Sequence, residues 1–256
     1  MRIRALKSHW DRLGKSDPLW AVLTQDEFKG GKNLEKFLES GVSDIDAMMA
    51  LLQGMDLGEP GSRNRALDFG CGVGRGTLAL KRYYAAVVGI DIAPLMIERA
   101  RHLSQDTSGV EYIINDQPDL RLLDDESFDL VYSNIVMQHM EPVLSTRYLR
   151  ELVRVTRQGG ALVFQLPSKT PAPTSHSRLA LAKRLLRDHG PDGVVRAYDA
   201  ISRMIRNGNR PIMEMYAVER SKVEALLQAA GARVVATLED PSVGPEWESF
   251  RYVVTK

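Results

Sequence analysis

Four glycines at every second position, in Arg65-Ala-Leu-Asp-Phe-Gly-Cys-Gly-Val-Gly-Arg-Gly-Thr77, constrain this chain more than any other stretch. Ala66, Leu67 and Phe69 read as a short buried strand, and Gly70, Gly72, Gly74 and Gly76 remove side chains just before an apolar helical run begins. Such a turn lets backbone N–H groups and a helix start approach a ligand closely. The dinucleotide fingerprint G-x-G-x-x-G is met in neither register, because Gly70-x-Gly72 is followed by Arg75 and Gly72-x-Gly74 by Thr77. Asp68 closes the strand. A ligand with a positive group beside the loop suits that acid better than a pyrophosphate does.

From Arg65 onward apolar runs alternate with helical ones, the pattern of a Rossmann-like, doubly wound α/β sheet with right-handed crossovers. Strands are expected near 66–69, 86–91, 110–114, 128–134 and 160–166, and helices near 74–83, 94–104, 142–156 and 218–230. Arg233–Leu238 and Ser249–Thr255 are joined without a helix, so they are expected to pair antiparallel as a C-terminal hairpin, giving a mostly parallel sheet of seven strands. Residues 1–60 form an N-terminal helical segment, with helices expected at Ile3–Leu13, Leu19–Phe28, Asn33–Leu38 and Ser43–Gln53, the last capped by Ser43. Residues 61–256 form the main domain, which carries a helical cap insertion at 168–215.

At the glycine run the sequence resembles the class I S-adenosylmethionine-dependent methyltransferases, whose first motif is an acid followed by alternating glycines. The resemblance implies S-adenosyl-L-methionine as cofactor, with Asp68, Gly70, Cys71 and Gly72 around its methionine end. Asp91, 23 residues after Asp68, would take the ribose hydroxyls with Ile92 beside it, and Asp116 would take the adenine amino group. For Asp116 the alternative is a solvated loop acid. Cys71 reads as a small residue filling the turn, against a nucleophilic role. Phe128-Asp129-Leu130-Val131 matches the family's fourth strand, with Asp129 structural and Ser133 near the cofactor; Gly159-Gly160 matches the approach to the fifth. Trp10 to Thr24 with Phe37-Leu-Glu-Ser-Gly41 is similar to a bacterial subgroup that includes sugar O-methyltransferases.

The same residues direct attention to the acceptor side. His139 emerges past the fourth strand at the cofactor face, where an imidazole of ordinary pKa near ~6.5 accepts a proton from a hydroxyl nucleophile, or else caps the next helix. Trp10 and Trp20 either anchor helices to the sheet or close over the cofactor. Glu39 is a candidate site carboxylate, with a solvated helix end as its alternative. In 168–210, nine Lys/Arg stand against three Asp, and Arg196, Arg203 and Arg210 share one helical face that either receives an anion or is solvated.

A formal charge of +1 gives no pull toward nucleic acid, no apolar run approaches the length of a membrane span, and the one cysteine excludes an intramolecular disulfide. The expectation is a cytoplasmic enzyme, with no residues assigned to a metal, methylating an oxygen of a small molecule such as a sugar or glycan. Methylation of a nitrogen, carbon or carboxyl centre, and a non-catalytic cofactor-binding scaffold, stand as alternatives.

Overall fold

The computed structural model describes residues 3–57, 64–171 and 213–256. Its centre is a seven-stranded sheet in the order β3-β2-β1-β4-β5-β7-β6. The strands are β1 (Arg65–Phe69), β2 (Ala86–Asp91), β3 (Val110–Ile114), β4 (Phe128–Ser133), β5 (Thr156–Lys169), β6 (Arg233–Glu239) and β7 (Glu248–Thr255). β1 to β5 run parallel, with Leu67 opposite Val88 on one side and Val131 on the other. β7 inserts antiparallel between β5 and β6, so the expected hairpin and the expected fold class are both borne out.

Alternation along the strands sorts the core into two layers. Leu67, Val131, Leu162 and Phe164 face α6 (Pro142–Val155) and α7 (Arg220–Ala229) through Leu149, Leu152, Val223 and Leu227. Ala66, Leu130, Tyr132 and Val163 face the other way, onto Ile45, Met48 and Leu52 of α3 (Leu34–Gly54) and Leu80 of α4 (Arg75–Leu80). α1 (Ile3–Ser16) and α2 (Pro18–Val22) pack beside α5 (Pro94–Leu103), where Leu13, Leu19, Phe28, Phe37 and Met96 make a third cluster.

The N-terminal helices differ from expectation in two places. The stretch Leu19–Phe28 is not one helix: α2 ends at Val22, and a separate 3-10 turn covers Asp26–Gly31. Asn33–Leu38 and Ser43–Gln53 are a single helix of 21 residues, so Ser43 is not an N-cap; its hydroxyl donates to the Glu39 carbonyl inside the helix. The reason is tertiary. Gly41 is a poor helix former in isolation, but a Cβ there would stand 2.7 Å from the Arg75 carbonyl oxygen, so its bare backbone is what lets α3 lie against α4.

Candidate functional site

A cleft of about 830 Å³, its mouth included, opens at the carboxyl ends of β1, β2 and β4. This is where ligands bind in doubly wound sheets. Phe69, Gly70 and Gly72 form its floor, Ile90, Asp91 and Ile92 one wall, and Asn134, Ile135 and Val136 the other. Gly70 and Gly72 both adopt positive φ, +80° and +53°. A Cβ on Gly70 would lie 2.9 Å from the Val136 Cβ, and one on Gly72 2.9 Å from a Val22 methyl, so the cradle is shaped by what the glycines lack.

Asp91 binds the cradle to the second strand: its Oδ2 accepts from the Gly72 N–H at 2.9 Å and its Oδ1 from the Ala93 N–H at 2.8 Å. Burial pushes its carboxyl above the usual range, opposed by those N–H groups. A carboxylate offers four lone-pair sites, so room remains for a ligand hydroxyl.

Asp68 is not among the lining residues. It alternates onto the α4 side of the sheet, where its Oδ2 accepts from the Thr77 hydroxyl at 2.7 Å, and burial raises its pKa to about 6. Cys71 also turns away from the cleft, packing with Ile97, Ala100 and Tyr112; burial holds its thiol well above the ordinary value, which removes the thiolate a nucleophile needs. Ser133 is buried at 1% exposure with its hydroxyl unpartnered, outside the lining.

Asp116 departs from the adenine-side expectation. It lies on the surface, 3.0 Å from Lys7 of α1 and hydrogen-bonded by Gln117, and those contacts hold its carboxyl below the usual range. The residue that lines the cleft after β3 is Asn115, one position earlier; along an extended strand a single step reverses the side chain. Glu39 is exposed on α3 and does not reach the cleft, and Trp20 packs in the third cluster with its indole N–H unpartnered. Arg196 and Arg203, with most of the helical cap insertion expected around them, lie outside the described residues.

His139 reaches the cleft from a short 3-10 turn, Met137–His139. Its Nδ1 faces the Glu214 carbonyl at 3.0 Å, and a carbonyl only accepts, so Nδ1 carries the proton. Nε2 is then the lone-pair atom, and it receives the Gln138 side-chain amide at 3.2 Å. Burial lowers the imidazole pKa to about 4, and the Trp10 ring stands edge-on at 5.1 Å. His139 is therefore neutral, with its lone pair already engaged. Trp10 itself lines the cleft with Leu6, Ala21 and Val22, so α1 and α2 cover it directly.

The β4 exit loop is strained where it meets the cleft. Ile135, a β-branched residue, sits at φ +59°, and its N–H is held by the Gln165 side chain at 3.2 Å, itself bonded to Ser249 at 2.6 Å. The neighbouring Asn134 turns a buried, unpartnered Oδ1 on the same wall. An unsatisfied acceptor beside a glycine cradle fits a ligand that brings its own donors.

Residues 67–164 match a family described as a methyltransferase domain. A malonyl-[acyl-carrier protein] O-methyltransferase of Halorhodospira halophila is 39% identical over 102 residues, covering 39% of this chain and 34% of that protein. A carboxy-S-adenosyl-L-methionine synthase of Sodalis glossinidius is 32% identical over 131 residues, covering 48% and 51%. The chain thus spans between a third and a half of these curated relatives. Among solved structures, magnesium protoporphyrin IX methyltransferase of Synechocystis with bound S-adenosylhomocysteine superimposes with a TM-score of 0.62 at 17% identity, over 99% of both chains, a likeness of fold. A Clostridium acetobutylicum S-adenosylmethionine-dependent methyltransferase follows at 0.56 and 13%, over 82% and 89%. The resemblance read from the glycine run, to an S-adenosylmethionine-dependent methyltransferase domain, is borne out. Among the described residues no helix is long and apolar enough to cross a membrane.

Proposed function

We propose, on the premise that residues 67–164 are a methyltransferase domain, that this chain transfers a methyl group from S-adenosylmethionine to an oxygen of a small molecule, and that the oxygen belongs to a carboxylate. Bound in the cleft, S-adenosylmethionine supplies an electrophilic methyl. The cradle of Gly70 and Gly72, the Asp91 carboxylate and the Asn134 Oδ1 are the groups that would hold it. Asp68 acts one layer behind, fixing the loop through Thr77.

The observation that carries the choice of acceptor is the state of His139. A hydroxyl nucleophile must lose its proton as the methyl arrives, and a base works best with a pKa near the operating pH. An imidazole at about 4, its lone pair taken by Gln138, is a poor proton acceptor there. A carboxylate is already deprotonated at neutral pH and needs no base. The chain's contribution is then to hold two ligands in line and keep water out, for which proximity and orientation supply up to ~7–11 kcal/mol. Trp10, Leu6 and Val22 supply the closure. The malonyl O-methyltransferase among the relatives is consistent with this class of acceptor.

The test has two stages. Titration calorimetry with S-adenosylmethionine should show one site per chain. Methyl transfer from labelled cofactor is then followed across panels of small carboxylic acids, alcohols and sugars. Turnover confined to acids, with a rate flat from about pH 6 to 9 and retained in His139→Gln, supports the reading. Turnover on a sugar hydroxyl that collapses in His139→Gln overturns the carboxylate assignment and restores the histidine as base.

A further inference from the structure

β5 carries a polar side chain inside its buried run, Ala161-Leu-Val-Phe-Gln-Leu166. A strand covered on both faces is ordinarily apolar throughout, and a buried amide costs free energy unless its donor and acceptor are both met. Gln165 is 1% exposed and does not line the cleft. Its two ends go to different elements: Oε1 accepts from the Ile135 N–H at 3.2 Å, and Nε2 donates to the Ser249 hydroxyl at 2.6 Å. An N–H only donates, so the orientation of the amide is fixed. Ser249 is itself anchored, because β7 pairs it with Pro167 and its carbonyl accepts from the Asp240 N–H at 2.9 Å. Arg251 holds Asp240 in turn, with Nε at 2.9 Å and Nη2 at 2.8 Å from its Oδ2.

The amide is spent on a turn that does not hold itself. Ile135 sits at φ +59°, a region that a β-branched residue occupies only when its surroundings impose it. Its neighbours are the residues that meet the cleft. Val136 stands so close over the cradle that a Cβ on Gly70 would run into both of its methyls, and Asn134 places its unpartnered Oδ1 on the same wall. Released from Gln165, Ile135 would relax toward negative φ. A rotation of the backbone at that point swings the residues on either side of it.

We propose that Gln165 is a positioning residue for cofactor binding: tied to β7 through Ser249, it holds the β4 exit turn in its left-handed conformation and so keeps Val136 and Asn134 in place against the glycine cradle. This rests on the S-adenosylmethionine reading above. It also gives the antiparallel strand a part in the site, since β7 supplies the fixed end of a strap that runs from Ser249 through Gln165 and Ile135 to the cleft.

The experiment measures S-adenosylhomocysteine affinity by titration calorimetry over a double-mutant cycle of Gln165→Met and Ile135→Gly. Methionine matches glutamine in length but offers neither bond, and glycine takes positive φ without strain. With Ile135 in place, Gln165→Met should weaken binding by roughly 10-fold, the worth of one hydrogen bond lost at the wall. In the Ile135→Gly background the same substitution should cost less than about 3-fold, because that turn needs no clamp. A role in stability alone lowers affinity equally in both backgrounds or in neither, and either result overturns the inference. Ser249→Ala removes only the anchor and should repeat the pattern at about 3-fold; it carries the test if Gln165→Met does not fold. Hydrogen exchange at the Ile135 amide, followed without ligand, should quicken by about 10-fold or more when the Gln165 or Ser249 side chain is replaced. If wild type binds no S-adenosylhomocysteine, the cofactor reading fails, whereas unchanged exchange at Ile135 overturns the clamp itself.

Discussion

Replacing Gly70 by alanine should damage both the fold and the cleft, for two reasons that add. The first is conformational: Gly70 sits at φ +80°, where a side chain costs about 1–2 kcal/mol. The second is steric. The new methyl would stand 2.9 Å from the Val136 Cβ, with both Val136 methyls nearer still, so rotating that side chain gives no relief and the β4 exit loop must move. Overpacking of this kind costs about 1–3 kcal/mol, which brings the sum to roughly 2–5 kcal/mol. For a chain of this size the melting temperature should fall by on the order of 10 °C. Gly159→Ala is the matched control: φ there is +72°, but nothing stands within 4 Å of the added carbon, so only the conformational share of about 1–2 kcal/mol remains. Differential scanning calorimetry on both variants, followed by S-adenosylmethionine titration of each, separates the two contributions. If Gly70→Ala melts no lower than Gly159→Ala and binds cofactor as wild type does, the cradle is not shaped by the Val136 contact.

Other outcomes follow from the same geometry. His139 takes up a proton near pH 6.5 when unfolded but only near pH 4 when folded, so its contribution is complete above pH 6.5 and is lost as the pH falls toward 4, on the order of 3 kcal/mol in all. Asp68, raised to about 6, runs the opposite way between pH 3.8 and 6, but it is common to both proteins, so the difference in urea stability between wild type and His139→Gln should shrink on acidification. A pH-independent difference would remove the buried neutral imidazole. Asp116→Ala should leave the melting temperature nearly unchanged and cofactor affinity within about 2-fold, because its partner is a surface lysine and exposed ion pairs contribute little; a loss of affinity beyond 10-fold would return it to the adenine. Trp10→Ala should weaken S-adenosylmethionine binding by about 10-fold or more while leaving the sheet's far-ultraviolet circular dichroism unchanged, since the ring covers the cleft and touches His139. Asp129→Ala should destabilise by about 3 kcal/mol without altering cofactor affinity in the folded protein, because its Oδ2 accepts from the Asn64 and Arg65 N–H groups at the entry to β1.

Periodicity was enough for the sheet, though not for the N-terminal helices. The two-residue alternation in Ala66-Leu67, Leu130-Val131 and Leu162-Val163 assigns each side chain to a layer, and strands joined with or without a helix then dictate parallel or antiparallel pairing. The glycine run was equally legible, because positive φ and close approach are demands that only glycine meets cheaply. What spacing does not encode is which neighbour a side chain finds once layers pack. Asp68 and Cys71 lie within the motif yet face α4 and α5, and Asp116 is drawn to Lys7, far away in sequence, while Asn115 enters the cleft. The base strength of His139 depends on Trp10, Gln138 and the Glu214 carbonyl, and the left-handed turn at Ile135 on Gln165 and Ser249. The local pattern determined where the backbone turns; long-range packing alone decided which charges are buried, which are paired and which remain free to meet a ligand.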